Sequence, residues 1–322
     1  MDEEAEPRLS LLVRQVRYEA EGVVSLELCR RDGGPLPTWR AGSHIDVVLP
    51  SGLVRQYSLC GDLSDRTAWR IAVLREAESR GGSAELHERA LVGTELEVRG
   101  PRNRFALVTS PSYLFVAGGI GITPILPMLE ETERAGARWR LVYGGRRRTH
   151  MAFLEEVSAR RSGEVTVLCE DEDGMPDLER LVAEHADGLI YACGPPAMLA
   201  ALEHLCIAAG VELHLERFTV APDLAPSGLG TTEDEPFEVE LARSNTVLVV
   251  PPGETLLRCV RRVVPAVLFS CEEGYCGTCE TRVLAGEPEH RDSVLSAEER
   301  EKSETMMICV GRSRSARLVL DL

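Results

Sequence analysis

The sequence predicts a multidomain chain of α/β and β architecture: an antiparallel β-barrel, then a parallel α/β domain, then a small β-grasp-like C-terminal domain. Three observations predict it. The N-terminal third alternates apolar and polar residues in short runs separated by turns. The middle third alternates apolar runs with helical segments. Four of the ten cysteines gather near the C-terminus in a ligand-like spacing. A length of 322 residues suits two or three domains rather than one.

The barrel rests on six strand-like runs, 9–16, 23–28, 44–49, 55–59, 69–74 and 95–98, with turn signals such as Asp32-Gly33-Gly34-Pro35 and Pro50-Ser51-Gly52 between them. Short alternating strands at this spacing predict a small antiparallel barrel. A helical stretch at 83–91 interrupts them. From residue 113 the runs 113–117, 140–143, 165–168 and 189–192 alternate with helical segments 123–135, 151–160, 177–185 and 195–209. That alternation predicts a parallel sheet ending near 215–218. Residues 220–236 mix Pro, Gly and acidic residues without periodicity, as a linker does. Beyond them come strands 237–241 and 246–250, a helix 255–262, a cysteine loop, and strands 281–284 and 317–320. Ser296-Ala297-Glu298-Glu299 is a capping box that starts a helix after the loop. The expected boundaries are 1–106 for the barrel, 107–221 for the α/β domain, 222–235 for the linker and 236–322 for the C-terminal domain.

Charge narrows the class of function. Against 36 Lys and Arg stand 52 Asp and Glu, a net −16. Nucleic-acid binding needs a basic face that displaces counterions, so this balance argues against it. The acidic start, Met1-Asp2-Glu3-Glu4-Ala5-Glu6, has no apolar run and does not read as a signal peptide. No stretch reaches the length of a membrane span. A cytoplasmic, monomeric chain is expected, in which disulfides are rare. Cys29, Cys60, Cys169, Cys206 and Cys259 stand singly in apolar or mixed segments, as buried small hydrophobes do.

Cys271, Cys276, Cys279 and Cys309 form the most specific pattern. Four residues, then two, then 29 separate them, the spacing of plant-type 2Fe–2S ligation. Four thiolates must converge on two irons, so one loop wraps the cluster and a distant strand supplies the fourth. Gly274 and Gly277 let the loop curl and aim N–H groups at sulfur. A structural zinc site and unliganded core cysteines are the alternatives, but zinc sites usually pair two Cys-x2–4-Cys elements and only one compact group exists here.

Ala117-Gly118-Gly119-Ile120-Gly121-Ile122-Thr123-Pro124 lies between an apolar strand and a helix, where a glycine turn brings phosphates to a helix N-terminus. Its spacing departs from the dinucleotide fingerprint G-x-G-x-x-G, and a tight strand–helix turn is the plainer alternative. Tyr191-Ala192-Cys193-Gly194-Pro195-Pro196 ends a later strand, and ligands bind at the carboxyl ends of such strands. Both motifs would then line one crevice, with Pro195 in the first helical turn and Gly194 open to a ligand.

With Arg55-Gln56-Tyr57-Ser58-Leu59 and Arg80-Gly81-Gly82-Ser83 ahead of these motifs, the chain resembles the phthalate dioxygenase reductase family, whose relatives include vanillate demethylase reductase subunits. The resemblance runs from about residue 9 to residue 322. It implies a flavin-binding barrel, an NAD domain and a tethered ferredoxin, with FMN as the flavin. By this resemblance Arg55 and Ser83 hold the FMN phosphate, with Gly81 and Gly82 donating N–H groups. Gln56 belongs to the same flavin-binding strand. Tyr57 stacks on the isoalloxazine or lines its ribityl chain, and Ser58 bonds near flavin N5. Gly119, Gly194 and Pro195 face the nicotinamide nucleotide, Cys193 lies beside the nicotinamide, and Thr123 and the Glu216-Arg217-Phe218 segment close the flavin–nicotinamide junction. Ser58, Cys193 and Glu216 are thus the expected catalytic residues. Without the resemblance, Tyr57 reads equally as core, and Ser58, Ser83 and Arg80 as ordinary strand or surface groups. His44 reads as barrel support, and Glu272, Glu273 and Glu280 as a solvated rim.

Arg146, Arg147 and Arg148 follow the second parallel strand, where the adenine ribose is usually recognised. Three arginines suit the 2′-phosphate of NADPH, while the family habit favours NADH, with Arg146 at the nucleotide and Asp171 a candidate for the ribose 2′-hydroxyl. NADH is the expected donor. Nicotinamide gives electrons in pairs and an iron–sulfur cluster takes one, so a flavin stands between them. The expected function is an NADH-dependent reductase that passes electrons through FMN and the 2Fe–2S cluster to a separate oxygenase, either Rieske non-haem iron or haem. A redox-sensing regulator with a vestigial flavin domain is the competing class, and it needs neither flavin nor nicotinamide motif.

Overall fold

The computed structural model describes residues 8–76, 81–219 and 234–322. Arg80 and residues 222–233 of the expected linker lie outside the described residues. The chain divides into two compact units, Met1–Glu216 and Arg217–Leu322. The expected boundary at 106/107 falls inside the first.

The first unit opens with six strands: β1 (Arg8–Ala20), β2 (Val23–Cys29), β3 (Ser43–Val48), β4 (Val54–Ser58), β5 (Ala68–Leu74) and β6 (Glu95–Asn103). They form one antiparallel sheet in the order β4-β3-β6-β1-β2-β5. Its two outer strands approach where Leu59, just past β4, bridges to Ile71 on β5, which curls the sheet toward a barrel. Alternation places Leu11, Val13, Leu26, Leu28, Ile45, Val47, Ile71 and Val73 inside. Helix α1 (Gly82–Arg89) lies between β5 and β6.

The rest of the unit is a parallel sheet in the order β11-β10-β7-β8-β9, built from β7 (Ser112–Gly118), β8 (Arg138–Gly145), β9 (Glu164–Cys169), β10 (Leu189–Cys193) and β11 (Leu213–Glu216). Strand β7 is almost wholly buried, as a central strand covered on both faces must be. Helices α2 (Ile122–Ala135), α3 (Leu154–Ser158), α4 (Glu170–Asp173), α5 (Leu178–Glu184) and α6 (Pro196–Ala209) connect the strands. α2 and α6 both stop at left-handed glycines, Gly136 and Gly210.

Two sequence expectations need correction. The helix expected over 151–160 shrinks to α3, because Met151, Ala152 and Phe153 are drawn into the core and Phe153 takes a left-handed φ of 60°. Pro195 is the N-cap of α6, and Pro196 takes the first helical position instead.

The two halves of this unit are locked together. Tyr191 on β10 accepts the Val108 N–H at 2.8 Å and donates to the Ala106 carbonyl at 3.0 Å. Arg70 on β5 pairs with Glu156 at 3.0 Å and lies 4.9 Å from the Phe153 ring centroid.

The second unit is a mixed sheet, order β13-β12-β18-β14-β16, of β12 (Phe237–Leu241), β13 (Thr246–Val250), β14 (Glu280–Ala285), β16 (Thr305–Met307) and β18 (Arg317–Leu320). β12 and β18 are parallel, so the start and end of the unit lie side by side. A two-stranded ribbon of β15 (Pro288–Glu289) and β17 (Arg312–Ser313) flanks it, and α7 (Leu256–Arg261) packs its buried face into the core. The expected capping box forms at α8 (Ala297–Lys302): Ser296 Oγ accepts the Glu299 N–H at 3.3 Å and Glu299 accepts the Ser296 N–H at 2.8 Å. Among the described residues, no helix is long and apolar enough to cross a membrane.

Candidate functional site

At the barrel, Arg55 on β4 and the turn entering α1 lie against each other. A Cβ on Gly82 would stand 2.5 Å from Arg55 Nε, so only glycine leaves this guanidinium its place. Arg55 Nη1 donates to the Val54 carbonyl at 2.8 Å, while Nη2 is buried without a partner among the described residues, and so is Gln56 Nε2. Gly81 takes a φ of 91° as N-cap of α1 and offers no side chain to the helix N–H groups. Ser83 Oγ accepts the Glu76 N–H at 3.2 Å. A buried guanidinium nitrogen without a partner among the described residues, beside a helix start whose N-cap is glycine, is a chemical fit for a phosphate monoester. Tyr57, on the same strand, is half-buried against the barrel core, and burial raises its phenol well above the ordinary value.

The carboxyl edge of the parallel sheet brings the two glycine motifs together. β7 and β10 are hydrogen-bonded neighbours, with Ala117 beside Cys193, and Cys193 beside Glu216 on β11. Side chains would not fit between the turns: a Cβ on Gly121 would strike the Cys193 carbonyl, one on Gly118 the Pro195 ring, and one on Gly194 would lie 2.6 Å from Met198 Cε. Gly119 has a φ of 55° and open space where a side chain would stand. Thr123 is buried, and its hydroxyl donates to the Ile120 carbonyl at 3.0 Å. That bond fixes its own turn.

At this edge Ser58 Oγ donates to Glu216 Oε2 at 3.3 Å. Burial pushes the Glu216 carboxyl up to about 8, with the Ser58 hydrogen bond acting in the opposite direction. Burial, and then the neighbouring Glu216, drive the Cys193 thiol well above its ordinary value. Ser58, Cys193 and Glu216, far apart in sequence, therefore stand together. Phe218 follows two residues beyond β11, half-buried at the start of the second unit.

His44 was legible only as a barrel residue, yet it is paired directly opposite Ser58 across β3 and β4. Burial, then Arg102 and Arg104, lower it to about 3, and neither ring nitrogen has a partner among the described residues. A buried polar residue in an alternating strand looks the same in sequence as an exposed one. Arg146, Arg147 and Arg148 are exposed. The Asp171 N–H donates to the Arg146 carbonyl at 3.3 Å and the Asp171 carboxylate lies 3.9 Å from Arg147.

In the second unit Cys271, Cys276, Cys279 and Cys309 are all buried. Backbone N–H groups already point at their sulfurs: Glu273 to Cys271 at 3.3 Å, and Cys271 and Thr278 to Cys276 at 3.5 Å. Cys271 lies within reach of Cys276 and Cys309, and Cys309 also reaches Cys279. Four buried thiols in the C-x4-C-x2-C…C spacing, with backbone N–H groups aimed at two of them, fit plant-type 2Fe–2S ligation. Among the described residues, Cys169, Glu172 and Asp173 also bring three ligand atoms within 4.8 Å of one another. Gly274 and Gly277 take left-handed φ angles of 77° and 73°, which lets the loop close around the sulfurs.

Comparison with known proteins assigns two stretches of the chain to known domains. A 2Fe-2S iron-sulfur cluster binding domain matches residues 239–313, and an oxidoreductase NAD-binding domain matches residues 115–204. The chain is 43% identical to phenoxybenzoate dioxygenase subunit beta of Ectopseudomonas oleovorans, over 98% of this chain and 97% of that protein. Its fold matches an intact type IV self-sufficient cytochrome P450 monooxygenase with a TM-score of 0.87 and 40% identity, over 98% of this chain but only 41% of that longer one. It matches phthalate dioxygenase reductase, described as a modular structure for electron transfer from pyridine nucleotides to [2Fe-2S], with a TM-score of 0.72 and 34% identity over 99% of both chains. With an arginine beside a glycine turn, paired glycine turns at the edge of a parallel sheet and four buried thiols on the page, these matches show that the chain belongs to the phthalate dioxygenase reductase family of oxidoreductases.

Proposed function

We propose that this chain takes electrons from NADH and delivers them singly to a separate oxygenase, with Ser58, Cys193 and Glu216 at the point of hydride transfer. When bound, FMN accepts electrons as a hydride and gives them up one at a time, and the 2Fe–2S cluster carries them singly. The protein supplies position and surroundings. Arg55, Gly81, Gly82 and Ser83 anchor the phosphate end of FMN, and Tyr57 lies two residues along the same strand. Gly119, Gly194 and Pro195 keep the sheet edge open for the nucleotide. With its pKa near 8, Glu216 carries its proton at neutral pH, so a neutral carboxyl and the Ser58 hydroxyl border the transfer point and add no negative charge where a hydride must pass. Arg146 and Asp171 lie at the adenosine end.

The Ser58–Glu216 hydrogen bond carries the proposal, because it joins the flavin strand to the nicotinamide edge. The charge around Arg147 supports NADH: Asp171 lies against it, inside the acidic run Glu170–Asp173. NADH should therefore exceed NADPH in kcat/KM by roughly tenfold, a difference of about 1.4 kcal/mol in transition-state binding. Steady-state rates with each donor and ferricyanide decide this. Equal values, or an NADPH preference that collapses in an Arg147→Ala, Arg148→Ala variant, would show that the arginines bind the 2′-phosphate.

A further inference from the structure

Behind the cluster loop of the second unit lies a carboxylate that the ligand set does not use. Asp292, between β15 and α8, is fully buried. Its Oδ2 accepts the N–H groups of Val294 and Leu295 at 3.0 and 2.9 Å, which shapes the turn into α8. Its Oδ1 is buried with no hydrogen-bond partner among the described residues. Two basic side chains face it: Arg300 Nη2 is 3.9 Å from Oδ2 and His290 Nδ1 is 3.9 Å from Oδ1. Both distances are too long for a hydrogen bond. Arg300 instead donates to the Asp292 backbone carbonyl.

The backbone of this turn seats the cluster loop. The Gly274 carbonyl accepts the Ser293 N–H at 2.8 Å. A Cβ on Gly274 would lie 3.1 Å from Asp292 Cα and 2.7 Å from Val310 Cγ2. Gly274 stands two residues before Cys276, and Val310 directly follows Cys309. Asp292 therefore touches the loop that carries three ligands at the place where it meets the strand end that carries the fourth.

We infer that Asp292 and Arg300 are positioning residues of the 2Fe–2S cluster that set its reduction potential in opposite directions. The inference rests on the cluster reading above. Adding an electron to the cluster adds negative charge. A buried carboxylate oxygen without a hydrogen bond opposes that addition and lowers the potential, and Arg300 offsets part of the effect. A turn that served only as a strut would behave differently: loosening it from either residue would disturb the loop in the same sense.

The test is a redox titration of the full-length chain, followed by the electron-paramagnetic signal of the reduced cluster, in wild type, Asp292→Asn and Arg300→Gln. The FMN couple in the same sample serves as internal reference. Asp292→Asn keeps an acceptor for the Val294 and Leu295 N–H groups and should move the cluster midpoint upward. Arg300→Gln should move it downward, with the FMN midpoint unchanged in both. Midpoints that do not move, or that move in the same direction, overturn the inference. Should Asp292→Asn fail to retain iron, Arg300→Gln decides alone: a fall supports the inference and a rise or no change overturns it. A wild-type chain without the cluster signal would overturn the cluster reading itself, and this inference with it.

Discussion

At the contact between Ser58 and Glu216, a barrel hydroxyl meets a carboxyl whose pKa burial has raised from 4.5 to about 8. The native state then holds this proton more tightly than the unfolded chain does. Its contribution to stability is complete below about 4.5 and is lost as the pH rises through about 8. Urea midpoints of the wild type should therefore decline across this window, and Glu216→Gln should flatten that part of the profile. An unchanged slope in the variant would place the titration elsewhere. Arg55 makes a different prediction. Removing a charge-assisted contact of about 1.5–3 kcal/mol should weaken FMN by roughly ten- to a hundredfold while the iron content stays full. Equilibrium dialysis of Arg55→Ala, with iron assayed in the same samples, measures both. Full flavin occupancy at low concentration would remove Arg55 from the phosphate site.

Among the elements, the turns at the ends of β7 and β10 show how sequence becomes a site. Gly121 has an ordinary φ of −63°, so it is needed for space alone: a side chain there would collide with the Cys193 carbonyl. Gly121→Ala should cost about 1–3 kcal/mol through overpacking and slow flavin reduction by NADH, as stopped-flow traces would show. A variant with wild-type rates would mean the two turns need not touch. These turns were legible because glycine spacing, apolar strands and a following proline all mark them in the sequence. The cysteine loop was legible for the same reason, since ligand geometry dictates spacing directly. Short ribbons such as β15 and β17 carried no periodicity to read. The shortening of α3 was hidden too, because Met151 to Phe153 have helix-compatible chemistry and only packing against the sheet pulls them away. His44 and Asp292 were invisible as buried groups. Burial of a polar side chain is decided by distant chain segments, such as the strand beside His44 and the Gly274 loop beside Asp292.

At the scale of the whole molecule, the division into Met1–Glu216 and Arg217–Leu322 separates the nicotinamide edge from all four cluster cysteines. Cys276→Ser should abolish the cluster absorbance and leave reduction of the flavin by NADH largely intact. Loss of both together would mean that the second unit supports the first. The parallel pairing of β12 with β18 has a further consequence for how the molecule is made. Contacts between distant segments form late, after local loops have closed. Cys271, Cys276 and Cys279 share one short loop, whereas Cys309 follows β16 and waits for the sheet around it. A chain in which these late contacts have yet to form would display three thiols without the fourth, and thiolates bind zinc as readily as iron. Cells starved of iron should thus accumulate a pale, zinc-loaded form, detectable by intact mass, whose flavin still draws on NADH but has no onward carrier for the electrons.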